Sequence, residues 1–370
     1  MDLLINALIV IGAALFVILT GAAYTVYLER KVAALIQQRK GPNRVGPFGL
    51  LQPLADVIKL LLKEDIVPAQ ADKFIHFLAP IISVLIALIT MAVIPFAYVP
   101  GMEFTAPTDG WLVIADVNIG ILYVLAITSI AVYGVTLAGW SSNSKYALIG
   151  GLRASAQMIS YELALGLSVV SVILLTNVTY TPPEGMIAEY VKPGAIVEAQ
   201  RGVWNMFRNP LGFLIFVVCA FAEANRSPFD LVEAEQELVG GFHTEYSSMK
   251  FALFFVAEYL HVIIASMLIT TLFMGGYLLP FEGLLGAAEW SDTARLLGGL
   301  GSFLFKTTFF VFVFVWVRWT LPRFKYNQLM DIGWKRFLPL SLANLMLIAA
   351  GAAIYIMLTS EGAGLATLQP

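Results

Sequence analysis

This chain of 370 residues predicts an all-α integral membrane fold, and three observations carry the prediction. Apolar residues make up 59% of it and charged residues only 13%, with a mean hydropathy of +0.81; soluble domains carry roughly 25% charged residues. Apolar runs of span length recur along the whole chain, each close to the ~20 residues that cross ~30 Å of hydrocarbon. Lysine and arginine alternate between sparse and dense connections, 17 on one side against 5 on the other. That asymmetry sets orientation through the positive-inside tendency and places both termini outside, on the periplasmic or intermembrane side.

Eight transmembrane helices are expected, near 3–28, 74–99, 112–138, 154–176, 203–222, 247–274, 302–321 and 337–359, forming one multi-pass domain over 1–370. The first run starts after Asp2 rather than a basic region and continues into Glu29, Arg30 and Lys31, which predicts a retained helix rather than a cleaved signal. Pro95 and Pro100 end the second, Gly275, Gly276 and Pro280 follow the sixth, and Pro322 closes the seventh. The outer segments 177–202 and 275–301 read as ordinary connecting loops, and 223–247 as an acidic inside loop. In "FGLLQPLADVIKLLLKED", Gln52, Asp56, Lys59 and Lys63 form one polar stripe on an otherwise apolar helix. Too charged to span, it predicts an interfacial helix near 48–63, which a plain surface anchor would explain equally well.

Composition excludes several chemistries. Cys219 is the single cysteine, and His76, His243 and His261 are scattered, so no iron–sulfur, haem or zinc ligand set is present in the sequence. Any electrons must reside on another subunit. Nothing in a net charge of −3 points to nucleic acid. The basic turn "QQRKGPNRVGPFG" lacks the pattern of a phosphate loop and reads as topology and headgroup anchoring, or as a rigid turn docked on a partner.

The acids carry the sharper message. Six of them (Asp230, Glu233, Glu235, Glu237, Glu245 and Glu258) fall within residues 229–260, among 25 in the whole chain. Counted from the inner helix ends, Glu162 lies ~13 Å and Glu258 ~16 Å deep. Carboxylates at that depth mark a pathway, a relay or a partnered bundle interior. Lys250 and His261 fall on the same side of the sixth helix as Glu258; Lys250 could hold a carboxylate charged, whereas a lone helical histidine is more often packing. Moving one charge against 100 mV requires ~2.3 kcal/mol. A carboxyl whose pKa moves by ~3–5 units supplies ~4–7 kcal/mol, the right scale to drive a proton.

Read together, "ERKVAALIQQRKGPNRVGPFGLLQPLADVIKLLLKED", "IADVNIGILYVLAITSIAVYG", "SAQMISYELALGL", "EANRSPFDLVEAEQELVGGFHTEYSSMKFALFFVAEY" and "LPRFKYNQLMDIGWK" resemble the H-type membrane subunit family of respiratory complex I, called subunit 1 in mitochondria. The resemblance implies a membrane subunit of a proton-translocating NADH:quinone oxidoreductase that forms much of the quinone tunnel and carries no redox centre itself. It implies a quinone substrate, with ubiquinone the expected type, and no flavin, haem or iron–sulfur cluster on this chain. Implied partners are the 49-kDa-type and PSST-type quinone-site subunits, the iron–sulfur relay subunit, small membrane subunits of the A, J and K types, and lipid. The implied location is the bacterial inner membrane or the mitochondrial inner membrane.

Carried over by motif, Glu29, Arg30, Asp56, Lys63 and Glu64 line the quinone tunnel and its entrance, with Asp230 in the loop below. Glu233, Glu235, Glu237, Glu162, Glu245, Glu258 and Arg318 continue a proton relay, and no metal site is implied. His261 matches no family role, and Asn327 stands where an acid is expected. A membrane subunit of an energy-converting hydrogenase shares the helix plan, and a stand-alone ion transporter would also use midplane acids, though no inverted repeat is present.

Overall fold

A computed structural model describes residues 2–99, 110–179, 191–230, 239–280 and 291–366. The regular structure among the described residues is helical, apart from one antiparallel pair of two-residue strands. Among the described residues, seven helices are long and apolar enough to cross a membrane, and an eighth apolar helix is shorter.

Helix α1 (Asp2–Ile36) outruns the expected first span, so Glu29, Arg30 and Lys31 lie inside a helix and not in a loop. A short 3₁₀ turn (Pro47–Gly49) leads to α2 (Gln52–Leu62), on which Leu54, Val57, Ile58, Leu61 and Leu62 are all exposed. With Asp56 turned back to Arg30 of α1, that apolar face suits the lipid interface. Helix α3 (Lys73–Met91) starts where the Asp72 carboxylate accepts from the Phe74 and Ile75 amides, at 3.1 and 3.3 Å.

Helix α3 stops at Met91, short of the expected 99, and the chain turns into β1 (Ala97–Tyr98) against β2 (Trp111–Leu112). The next helix, α4 (Gly120–Ser141), therefore starts eight residues later than the expected 112. Asp116, in the residues between, takes an ion pair with Lys192 at 3.2 Å instead of entering the apolar bundle. Helices α4 and α5 (Lys145–Thr179) form a tight antiparallel hairpin. A Cβ on Gly139 would sit 2.5 Å from the Ala147 carbonyl oxygen, so only glycine permits that approach.

The outer segment around 177–202 is more than a connecting loop. It contains α6 (Pro193–Glu198), whose residues 193–197 are buried. The Gln200 amide locks it in place, donating to Thr271 O at 2.9 Å and accepting from the Asn205 and Gly275 amides. The span expected over 203–222 is broken into α7 (Asn205–Arg208) and α8 (Pro210–Glu223). Pro210 has no N–H and restricts the residue before it, while the Asn209 side chain caps the new helix through the Gly212 amide at 2.9 Å.

Helix α9 (Ser248–Phe273) is the most enclosed of the spans. The turn that follows it is held by Lys306 of α10 (Asp292–Thr320), whose ammonium donates to Met274, Gly276 and Leu278 oxygens at 2.8, 3.0 and 2.6 Å. A short α11 (Tyr326–Asp331) and one π-helical turn (Ile332–Phe337) lead into α12 (Leu338–Ala366), most of whose described outer face is exposed apolar surface. The main core lies where α1, α5, α8, α9 and α10 meet.

Candidate functional site

A groove of about 540 Å³ opens between α1, α2, α9 and the C-terminal end of α10. Its walls are mainly apolar, from Ala22, Ala23 and Val26 on α1, Val57 and Leu60 on α2, and Phe251, Phe255 and Val256 on α9. Arg30 and Asp56 pair at 2.6 Å at its polar rim, joined by Arg39 and Lys59. Lys63 and Glu64 lie beyond the end of α2, exposed and outside this lining.

At the inner wall of the groove sits Glu29, only 6% exposed. Its carboxylate accepts from Arg318 at 2.5 Å and from the Tyr259 hydroxyl at 2.8 Å. A second guanidinium, Arg226, approaches Glu29 at 3.8 Å and Glu258 at 3.4 Å, and lies 4.2 Å above the Tyr259 ring. Arg226 thus stands between a carboxylate on the groove and one further along α9. Burial works against its charge, but Glu258, Tyr259 and Glu29 outweigh that and carry the guanidinium above its ordinary pKa. Arginine suits this place because its rigid fork serves two carboxylates and its face stacks on a ring at once.

The turn that carries Arg226 is built to hold it. Asn225 takes a left-handed backbone (φ 51°), which asparagine tolerates better than most residues. Gln157 of α5 donates to Ala222 O at 2.9 Å and Phe229 O at 2.8 Å, tying both ends of the turn to the bundle. Asp230, 2% exposed, pairs with Arg323 at 2.8 Å, and the Phe324 amide donates to Pro228 O at 3.1 Å. Glu233, Glu235 and Glu237, which follow directly, lie outside the described residues.

Beyond Glu258 a small inner cavity of about 50 Å³ is lined by Glu223, Asn225, His243, Glu258, His261 and Ser83, among apolar neighbours. Glu223 lies within electrostatic reach of Glu162 on α5, whose carboxylate takes a short hydrogen bond from Ser129 on α4. Glu245 is half-buried beside Tyr246, whose ring stacks on the buried His76 at 3.9 Å. The carboxylates therefore form a line from the groove across the bundle: Glu29, then Glu258 across Arg226, then Glu223 across the cavity, then Glu162.

Arg318, near the end of α10, pairs with Glu29 at the groove. One placement differs from the sequence reading. Lys250 is no partner for Glu258; it pairs with Asp65 at 2.9 Å, because eight residues of helix separate it from Glu258 by ~12 Å along the axis. Glu223, Arg226 and Tyr259 were not singled out from sequence. The available signal was the acid and base three residues apart in "EANR" at the end of an apolar helix. Among the described residues, no group of three or more His, Cys, Asp or Glu side chains could hold a metal.

Comparison with known proteins gives a consistent answer. A family model described as NADH dehydrogenase matches residues 9–349. The chain is 58% identical over 342 residues to NADH-quinone oxidoreductase subunit 8 of Rhodothermus marinus, covering 90% of this chain and 93% of that one. It is 53% identical over 355 residues to the H-type subunit of the NADH-quinone oxidoreductase of Salinibacter ruber, covering 95% and 96%. The protein of the same name from Leptospira biflexa is 49% identical over 354 residues, 94% of each chain.

Proposed function

The chain belongs to the NADH dehydrogenase family, among the H-type membrane subunits of NADH-quinone oxidoreductases, and from that premise we propose that it couples quinone reduction to proton translocation. In this reading the groove between α1, α2 and α9 receives the quinone from the membrane. The line of carboxylates from Glu29 to Glu162 then carries the protonic response inward. One observation supports it most: a buried cation, Arg226, shared by a carboxylate on the groove and a carboxylate facing the inner cavity.

The groove's chemistry suits a quinone. Its walls are largely apolar with charged groups confined to one rim and one inner end, as an amphipathic ring with a long apolar tail requires. The exposed apolar face of α2 opens it toward lipid. Asp230, Glu233, Glu235, Glu237 and Glu245 would form the polar floor and entry to the inner cavity, and Lys63 and Glu64 the outer approach. Ubiquinone is the proposed substrate type. The redox centres and the head-group site belong to the 49-kDa-type, PSST-type and iron–sulfur relay subunits, and the A, J and K types flank the bundle. Both termini face outward from an energy-conserving inner membrane.

Glu258→Gln tests the relay. It is expected to depress NADH:quinone reductase activity of membranes by ~10²-fold, the lower end for loss of a proton-transferring group, while NADH oxidation by an artificial acceptor stays intact. Wild-type quinone turnover in this variant would remove the assignment. Ala23→Trp tests the groove independently. A bulky ring on its α1 wall should raise the KM for a long-tailed quinone by about tenfold, or 1.4 kcal/mol, with less effect on a short-tailed analogue. Equal KM values for both quinones in wild type and variant would place the substrate elsewhere.

A further inference from the structure

The inner cavity contains a titratable group that neither the family resemblance nor the carboxylate line uses. His261 lines it together with Glu258 and Glu223. On α9 it follows Glu258 by three residues, ~4.5 Å along the axis and on the same face. The titratable and charged groups around it come from every neighbouring element: Glu258 on α9, with Arg226 on that carboxylate's far side, Glu223 on α8, His243 on the 239–247 segment, and Glu162 of α5 acting on Glu223. The walls from α3 and α4 contribute Ser83, Ala131 and Val135, without charge. His243 is committed to ring contacts with Phe242, Phe251 and Phe255 at 5.1, 5.4 and 6.1 Å.

We propose that His261 is a proton-carrying residue of this cavity, passing protons between Glu258 and Glu223. The inference rests on the relay reading above and adds a station to it. The chemistry balances without any electron transfer. The O–H bond of protonated Glu258 breaks as an N–H bond forms on one ring nitrogen; the N–H of the other nitrogen breaks as an O–H bond forms on the Glu223 carboxylate. Glu258 is left ionised beside Arg226, which favours the forward direction. An imidazole accepts on one nitrogen while donating from the other, which a carboxylate fixed in one rotamer does less readily. A volume of about 50 Å³ also has room for water between the three groups.

The test uses the assembled complex in inverted membrane vesicles, comparing wild type with His261→Asn, His261→Gln and Glu258→Gln. Both amides keep hydrogen bonding and volume but carry no proton. They are expected to lower NADH:quinone turnover and coupled proton uptake by about tenfold, less than a general acid–base at a reacting centre because cavity water takes part of the traffic. The D₂O effect on turnover should rise in both, a change that loss of packing would not produce, while NADH oxidation by an artificial acceptor stays at the wild-type rate. Wild-type turnover and isotope effect in both histidine variants, with Glu258→Gln impaired, overturns the His261 proposal and leaves the relay reading standing. Wild-type turnover in all three overturns both. Loss of acceptor-linked NADH oxidation in both histidine variants would assign His261 to packing and end the proposal.

Discussion

Arg226→Met is expected to reduce NADH:quinone turnover by at least ~100-fold, equivalent to ~2.7 kcal/mol at 1.36 kcal/mol per decade, while NADH oxidation by an artificial acceptor continues. Glu29 keeps Arg318 and Tyr259 in this variant, at 2.5 and 2.8 Å. Glu258 loses the cation that stands 3.4 Å from it. Breaking a buried ion pair from one side costs ~3–5 kcal/mol, because the remaining charge loses a cation inside the protein. Ionising Glu258 then costs more than in the wild type, and a carboxyl that ionises less readily passes protons more slowly.

Two further variants separate charge from packing. Arg226→Lys keeps the charge but loses the fork and much of the stacking on Tyr259, so partial turnover is expected. The double variant Arg226→Met with Glu258→Gln removes both charges; its unfolding temperature should recover toward wild type while turnover stays low. Recovery of both together would show that the pair is structural only.

Gly150→Val is expected to destabilise the complex by ~1–3 kcal/mol, the usual range for overpacking, and to reduce proton pumping more than assembly. A Cβ at Gly150 of α5 would lie 2.9 Å from Gly241 Cα and 2.9 Å from the Phe242 nitrogen. Those are backbone atoms and cannot turn aside as a flexible side chain would. The 239–247 segment must move off α5, and it carries Phe242 and His243 at the inner cavity and Tyr246 stacked on His76. Gly166→Ala on the same helix provides the control, since nothing lies within 4 Å of a Cβ there. Thermal unfolding of the purified complex, alongside protons pumped per NADH oxidised, reads both. Equal behaviour of the two variants would sink the prediction.

That two carboxylates lie on long apolar helices was legible in the sequence, because hydropathy locates a helix and 1.5 Å per residue gives position along it. Glu162 and Glu258 needed nothing more. Their partners were not legible by that route. Angular position alone put Lys250 beside Glu258, yet the axial rise sends Lys250 to Asp65. Glu29 and Arg318 are 289 residues apart and meet only because α1 and α10 pack against each other and against α9. The broken fifth span shows the other limit: hydropathy runs straight through Asn209 and Pro210, while the backbone ends one helix there and caps the next.

By itself the sequence determined the class of this protein, an α-helical membrane bundle, because desolvation forces backbone groups into helices and makes each charge on an apolar helix stand out. Its motifs also placed it in its family. Tertiary structure alone decided which charges meet: that Arg226 bridges Glu29 and Glu258, that Arg318 pairs with Glu29 at the groove, and that His261 opens on the cavity shared by Glu258 and Glu223. Ion pairing acts over a few ångströms between residues remote in the chain, so it depends on how helices pack and not on which residues neighbour one another in sequence.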